Sequence, residues 1–475
     1  MHYLERINTM RKLPLLLLAA LFLITGCKKN KENGESTTAL KRDNYFIWDY
    51  MNAYYVWRDQ IPQSQTPTSE SPLTYFPRLR NTQDNWSMVT DDYDGLMSNV
   101  QNTGKSFGYS LMFGRYVDEY GNDTGERFAI VLHVHPNTPA KAEDIRRGDI
   151  ISKLNGSPIT DANRSQLVYA NNISITLIRK DDNGIKFELT KQIASAAVYL
   201  DPIAEKKLIQ KNGLNIEYMY YSDFLSTTSN GVNAHADLTA AISGFRAQNV
   251  DNFILDLRTN GGGTTASARH LCSLLAPESV VKAEKVLTKD ISPISTSTTK
   301  FDKNVTTNLN LPGAKPTIYI LTNKYSASAS EMTIAGLCPY MDVVLIGEKT
   351  TGKYYGGGIV NIGTQGLKEP SLSNWGLYAM TFRFTNAEDF PGIGEPIEPT
   401  AANIIPEDFQ NLKPLGSEED QCVARALELS TGVAPEPGII KRSPSSKDGR
   451  IFVPEVLMPA GVPHGMLITD TETGL

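Results

Sequence analysis

The chain has few cysteines and few histidines, and it has no excess of positive charge. Only 4 cysteines and 6 histidines occur among 475 residues, and they do not stand at the spacings of a metal site or a disulfide framework. Lys and Arg number 46 against 52 Asp and Glu, which gives a formal net charge of −6 and argues against non-specific nucleic-acid binding. We therefore expect no metal, no cofactor and no nucleic-acid partner.

A hydrophobic run stands near the N-terminus, at residues 13–24, directly after two basic residues. The run is shorter than the roughly 20 residues of a transmembrane helix, and its layout is that of a signal peptide. Its Ile-Thr-Gly-Cys ending resembles the lipobox of bacterial lipoproteins, which implies a signal peptide at 1–26, lipidation of Cys27 and a tether at 27–42. The expected location is the cell envelope, anchored to the periplasmic or cell-surface side of a bacterial membrane. A plain secretory signal or an uncleaved anchor is the alternative.

Residues 43–103 have a helical and aromatic-rich pattern. Aromatic side chains recur at helical spacing, so that they lie near one face of a helix: Phe46, Tyr50, Tyr54 and Trp57. Stripes of this kind are usually core, and we predict a small helical N-terminal domain.

From residue 104 to residue 195 the pattern changes to short strands. A short helix at 139–144, an Arg-Gly-Asp turn, a strand at 150–154 and an Asn-Gly turn follow one another, and this succession resembles a PDZ domain. The resemblance implies peptide binding by strand addition to a sheet edge, although the domain could also serve as a rigid spacer. The loop expected to capture a terminal carboxylate consists of Phe107, Gly108, Tyr109 and Ser110.

Residues 196–432 alternate between strands and helices, which indicates an α/β core. A buried strand at 253–257 runs into three glycines at 261–263, and a helix follows at 266–275. The glycine turn has neither the Walker lysine nor the dinucleotide-binding spacing, so an oxyanion hole is a better use for its backbone amides. The tail at 433–475 is rich in Pro, Ser, Lys and Gly, and we expect it to be extended or poorly ordered.

The candidate chemistry centres on a run of small residues between a buried strand at 316–321 and a helix at 331–337. Ser328 lies in this run, where a serine can expose its hydroxyl beside free backbone N–H groups. Ser328 and Glu331 also fit the S-x-x-E capping box, in which the serine would only cap the helix. Lys353 follows the next strand in a glycine-flanked turn, so a Ser/Lys pair is the first hypothesis.

The order of these signals resembles the carboxyl-terminal processing peptidases, which are serine endopeptidases with a PDZ domain ahead of the catalytic core. The resemblance rests on the motifs ILDLRTNGGG, SASASE and GEKTTGK and spans roughly residues 106–399. It implies a multidomain α/β protein with a ClpP/crotonase-like core. It also implies that Ser328 is the nucleophile, Lys353 the base, and the amides of Ala329 and Gly262 the oxyanion hole.

A lysine can act as a base only when it is neutral, so its pKa must fall from about 10.4 toward 7 or 8 through burial. The implied function is an exported, lipid-anchored serine endopeptidase that cleaves unfolded or C-terminally exposed polypeptides. Family members often carry a glutamine four residues after the lysine, where this chain has Gly357. A non-catalytic, PDZ-containing peptide-binding lipoprotein is therefore the alternative. We expect Lys349 to be a solvated charge and His270 to be structural.

Overall fold

The computed structural model describes residues 37–101, 104–181, 184–226, 233–363, 374–392, 395–440, 451–458 and 465–469. The predicted signal peptide, Cys27 and most of the predicted tether lie outside these ranges. Within them, no helix is both long enough and apolar enough to cross a bilayer.

The N-terminal region is helical, as predicted. Its elements are α1 (Thr37–Tyr54), α2 (Pro72–Tyr75), β1 (Met88–Thr90) and α3 (Tyr93–Val100). The predicted aromatic stripe is only half-buried, and the fully buried side chains lie one position further along: Ile47 and Met51 of α1, and Tyr55 directly after it. Phe46 and Tyr50 pack against this core, and together with Tyr54 they also line one wall of a cavity of about 900 Å³.

The next region, residues 104–197, is called the β-rich domain below. Its strands are β2 (Lys105–Ser106), β3 (Tyr109–Val117), β4 (Asp123–Val134), β5 (Ile150–Leu154), β6 (Ser157–Pro158), β7 (Asn172–Lys180), β8 (Lys186–Ala194) and β9 (Ala196–Ala197), with helices α4 (Pro139–Ala142) and α5 (Gln166–Tyr169). Strands β3, β4, β5, β7 and β8 are neighbours in one antiparallel sheet. Asn155 and Gly156 both adopt positive φ, as the predicted hairpin turn requires.

The α/β core contains the remaining elements up to residue 431. They are β10 (Ile203–Lys211), β11 (Leu214–Tyr221), α6 (Ala234–Ala247), β12 (Asn252–Asp256), β13 (Gly263–Thr264), α7 (Thr265–Leu275), α8 (Glu278–Lys282), β14 (Val286–Ile291), β15 (Thr296–Lys300), β16 (Thr317–Thr322), α9 (Ala329–Leu337), β17 (Asp342–Gly347), β18 (Tyr355–Gly356), β19 (Ile359–Asn361), β20 (Gly376–Tyr378), β21 (Phe382–Asn386) and α10 (Gln421–Thr431).

The central sheet of the core has the order β10-β11-β12-β16-β17, and its last four strands are parallel. Both faces are covered. Phe253 and Leu255 of β12 pack with α6, α7 and α9 on one side, and Ile254 packs with α10 on the other. The carboxyl ends of β12 and β16 therefore meet at one edge of the sheet, and this edge carries the glycine turn and Ser328.

Two described parts of the C-terminal tail form strands, and both strands are paired. Strand β22 (Ile451–Met458) adds antiparallel to the outer edge of β3 in the β-rich domain. Strand β23 (Leu467–Ile468) pairs in parallel with β13, next to the glycine turn. The tail thus belongs to two sheets that the sequence pattern assigned to other regions, because strand pairing between distant segments has no local signature.

Candidate active site

Ser328 lies at the junction between β16 and α9, in a backbone conformation that non-glycine residues rarely adopt. Its φ is +66° and its ψ is −111°. The side chain is fully buried, and its Oγ has no hydrogen-bond partner among the described residues. The Ser328 hydroxyl therefore does not cap the helix, and a strained turn holds it in place as at a nucleophile elbow.

Glu331 joins the two loops that carry Ser328 and Lys353. Its buried carboxylate accepts hydrogen bonds from the N–H groups of Ser328 (2.7 Å), Gly352 (2.6 Å) and Lys353 (2.9 Å). Burial raises the pKa of Glu331, and these backbone donors oppose that effect. Ser328 and Glu331 thus occupy the predicted capping-box positions at the start of α9, and Glu331 also positions the lysine turn.

Lys353 is a fully buried lysine with a fixed amine. Its Nζ donates to the carbonyl oxygen of Tyr355 (2.7 Å) and to the hydroxyl of Tyr378 (3.4 Å), and it lies 5.8 Å from the ring centroids of Trp86 and Tyr378. Burial lowers the pKa of Lys353 from 10.5 to about 7, while the negative charges of Glu331 and Asp84 oppose the shift. Such an amine can be neutral near physiological pH.

The N-terminal region contributes to the site through a loop that sequence reasoning missed. The buried carboxylate of Asp84 accepts from the N–H groups of Trp86 and Ser87, each at 2.9 Å, and from the hydroxyl of Tyr55 at 2.7 Å. These bonds hold the loop that carries Trp86 beside Lys353. An Asx-type turn is visible in the sequence, but nothing local indicates that it faces a lysine more than 250 residues away.

The glycine turn packs directly against Ser328. Gly262 has a φ of +120°, and a Cβ built on it would lie 2.9 Å from Ser328 Oγ, so a side chain there would collide with the serine. The N–H of Gly262 donates to Asn260 Oδ1 (2.9 Å), and the N–H of Gly263 donates to the carbonyl oxygen of Met466 (2.8 Å). The N–H of Ala329 is the first of α9 and has no partner within the helix.

Other candidate residues lie elsewhere. Lys349 is exposed and near Glu398 (3.7 Å), as expected of a surface charge. His270 stacks on His235 with ring centroids 4.5 Å apart, which is consistent with a structural role. Within the described ranges, no three His, Cys, Asp or Glu side chains are grouped as metal ligands. The predicted carboxylate loop, Phe107 to Ser110, is buried in the β-rich domain.

An α/β core that holds a buried serine at a strained strand-to-helix junction, beside a glycine turn and a buried lysine, has the architecture of a serine peptidase. Residues 215–399 match the family described as Peptidase family S41, and residues 42–88 match the Peptidase S41 N-terminal domain. Two stretches of the chain thus match S41 peptidase domains, and the resemblance to the carboxyl-terminal processing peptidases is confirmed.

The similar proteins bear related names. The carboxyl-terminal-processing protease of Synechocystis sp. is 24% identical over 266 residues, which cover 50% of this chain and 56% of the relative. The carboxy-terminal processing protease CtpA of Bacillus subtilis is 27% identical over 272 residues, which cover 56% and 52%. The chain thus spans about half the length of these relatives. A crystal structure from Bacteroides fragilis described as an S41 protease has a TM-score of 0.65 and 24% identity, and covers 82% of this chain and 97% of its own, so the fold is shared.

Proposed function

We propose that this protein is an exported, lipid-anchored serine endopeptidase that uses Ser328 as nucleophile and Lys353 as base. The observation that carries the proposal is the arrangement around Glu331, in which one buried carboxylate holds the backbones of both residues. A structural lysine has no need of a fully buried amine whose pKa is close to 7.

The chemistry follows from these positions. Neutral Lys353 takes the Ser328 proton, and Oγ attacks the peptide carbonyl carbon. The amides of Ala329 and Gly262 would then stabilise the oxyanion, once Gly262 gives up its bond to Asn260. The lysine ammonium protonates the departing amine, and a water molecule, deprotonated by the same lysine, hydrolyses the acyl-enzyme. The Tyr355 carbonyl and the Tyr378 hydroxyl orient the amine where the family's glutamine is missing.

The substrate class comes from the relatives' names and from the β-rich domain. Proteins named carboxyl-terminal processing proteases support polypeptide substrates with accessible C-terminal segments. Within residues 104–197, β3 is the outermost strand of the sheet, and its outer edge accepts an added strand, β22 of the tail; strand addition is how a PDZ domain binds peptides. The lipobox-like ending at Cys27 supports attachment to a membrane of the cell envelope.

Casein hydrolysis by the purified chain tests this function. We expect Ser328→Ala and Lys353→Ala each to abolish hydrolysis while retaining the wild-type circular dichroism spectrum and melting temperature within a few degrees. The matched control is Lys349→Ala, which removes an exposed lysine from the same turn and should retain full activity. Hydrolysis by either active-site variant would refute the Ser/Lys assignment. Palmitate labelling in the host cell should mark the wild type and spare Cys27→Ser; equal labelling would refute the lipid anchor.

A further inference from the structure

The C-terminal segment covers the peptide-binding edge of the β-rich domain. The whole length of β22 pairs with β3, from Ile451 opposite Val117 to Met458 opposite Leu111. The ring of Phe452 is buried and lies edge-on to Tyr116, with centroids 5.9 Å apart. The edge that strand addition requires is therefore already occupied by the chain itself.

Strand β3 is shaped for this occupant. A Cβ on Gly114 would lie 2.3 Å from the carbonyl oxygen of Val453 and 2.6 Å from the Phe452 ring, so any other residue at position 114 would push β22 away. Arg115 forms an ion pair with Glu455 across the same pair of strands. A glycine, a buried aromatic ring and an ion pair together indicate a specific interface.

A second part of the tail lies across the candidate active site and bonds through its main chain on both sides. On one side, the N–H of Gly465 donates to the Gly261 carbonyl (2.9 Å), and the Met466 carbonyl accepts from Gly263 (2.8 Å). On the other side, the Leu467 carbonyl accepts from the N–H of Gly357 (3.0 Å). Main-chain bonds of this kind hold any extended polypeptide, whatever its sequence.

This part of the tail lies beside the nucleophile and the base. The Met466 carbonyl oxygen and Ser328 Oγ both lie within 3 Å of the point where a Cβ on Gly262 would stand, at 2.6 and 2.9 Å. A Cβ on Gly465 would lie 3.7 Å from Lys353 Cδ. Because Ser328, Lys353 and Leu467 are all fully buried, an incoming polypeptide cannot reach the serine while the tail remains in place.

The contacts are not those of a substrate being cleaved. The amine of Lys353 is bonded to Tyr355, Ser328 Oγ has no hydrogen bond, and the N–H of Gly262 is bonded to Asn260. Among the described residues, neither the base nor the nucleophile forms a hydrogen bond to a carbonyl group of the tail, and one expected oxyanion donor is bonded elsewhere. The tail is bound like a substrate but in an unreactive arrangement.

We infer that the C-terminal segment is a resident, substrate-like ligand of its own active site. The two surfaces that it covers, the outer edge of β3 and the groove between the glycine turn and Gly357, are the surfaces that bind an incoming polypeptide, which must displace the tail. The inference rests on the proposed function. An intramolecular ligand has an effective concentration on the order of 1 mM, so a tail with an intrinsic dissociation constant of about 100 μM leaves the site free in roughly one molecule in ten.

Removal of the tail provides the first test. A chain that ends at residue 450 should hydrolyse casein about tenfold faster than the full chain. Leu467→Asp places a charge in a fully buried position of β23 and should have a similar effect in the full-length chain. This variant provides the test if the truncated chain does not fold. A synthetic peptide of residues 451–469 should inhibit the truncated enzyme, whereas a scrambled peptide should not. If a folded truncated chain or Leu467→Asp is no more active than the full chain, the inference is overturned.

A binding assay separates this inference from the proposed function. A fluorescein-labelled peptide of residues 451–469 should bind the truncated chain carrying Ser328→Ala, as measured by anisotropy, whether or not the enzyme is active. Binding in the absence of any casein hydrolysis would refute the function and retain the tail site; absence of binding would overturn the inference. Mass spectrometry should show an intact tail on the purified full chain, and Ser328-dependent cleavage within residues 465–469 would instead make the tail a substrate and overturn its role as a ligand.

Discussion

The pH dependence of hydrolysis depends on one buried amine. Burial lowers the pKa of Lys353 to about 7, so at pH 7 about half of the molecules hold a neutral lysine. A lysine with a pKa of 10.5 would be neutral in only about one molecule in 3,000 at the same pH. The structure therefore predicts an enzyme that is active at neutral pH, with a rate that follows the neutral fraction of Lys353.

The direction of the pH dependence follows from the role of Lys353 as a base. The neutral amine is the reactive form, so kcat/KM should fall about tenfold for each pH unit below 7 and level off above 8. Protonation of the four described histidines would not give a fall in kcat/KM near pH 7, because burial lowers the pKa of each of them: His133, His135, His235 and His270. Burial raises the pKa of Glu217 to about 7, so Glu217 is the group to control for.

The assay measures kcat/KM between pH 5 and 9 on a quenched fluorescent peptide that has no titratable groups in that range. The chain without the tail is measured alongside the full chain, so that release of the tail does not determine the pH profile. Glu217→Gln should leave the midpoint unchanged. A profile that is flat from pH 5.5 to 8.5, or one that rises only above pH 9, would refute the assignment of Lys353 as the base.

Two further predictions concern the support of the site. Glu331→Gln replaces one acceptor oxygen with a donor, so at least one of three hydrogen bonds to a buried charge is lost, at a cost of about 1.5–3 kcal/mol. Calorimetry should therefore show a lower melting temperature. The acid limb of the pH profile of kcat/KM should also move to lower pH, because a negative charge near Lys353 is removed. Gly357→Ala places a Cβ 1.9 Å from the Ala379 carbonyl oxygen and should lower the free energy of unfolding, measured in urea, by about 1–3 kcal/mol. Gly358→Ala is the neutral control, because its Cβ would lie 3.6 Å from Thr469. Equal stability of the two glycine variants, or an unchanged acid limb in Glu331→Gln, would contradict these arguments.

Local patterns in the sequence predicted the elements that carry the site. The strand at 316–321 and the helix that follows it appear as β16 and α9, and the Asn-Gly turn after the strand at 150–154 appears where expected. Apolar periodicity and turn chemistry act over a few residues, so a sequence displays them directly. The order of the motifs along the chain then indicated the family. In the structure, the glycine turn and the turn that carries Ser328 meet at one edge of the central sheet.

Contacts between distant segments could not be predicted in the same way. Trp86 reaches Lys353 because Asp84 holds its loop, and β22 adds to β3 across more than 330 residues of chain. Register and pairing between such segments depend on the packed structure, and the Pro-rich composition around the tail favoured an unpaired stretch. The aromatic face of α1 packs against the N-terminal core but is only half-buried, because a cavity adjoins it, and a helical stripe does not show what packs against it.

Gly357 shows how the lysine can be oriented without the family's glutamine. A side chain at this position would run into the Ala379 carbonyl oxygen, and the N–H of Gly357 holds Leu467 of the tail, so the backbone itself forms one wall of the groove. The amine of Lys353 is bonded instead to the Tyr355 carbonyl and the Tyr378 hydroxyl, and that hydroxyl also donates to the Leu467 carbonyl. The Tyr378 hydroxyl therefore connects the base to Leu467 of the tail, which lies in the groove. Displacement of the tail would change the hydrogen bonds around the amine at the moment a substrate arrives, and this connection explains how an absent glutamine and an occupied groove can belong to one working site.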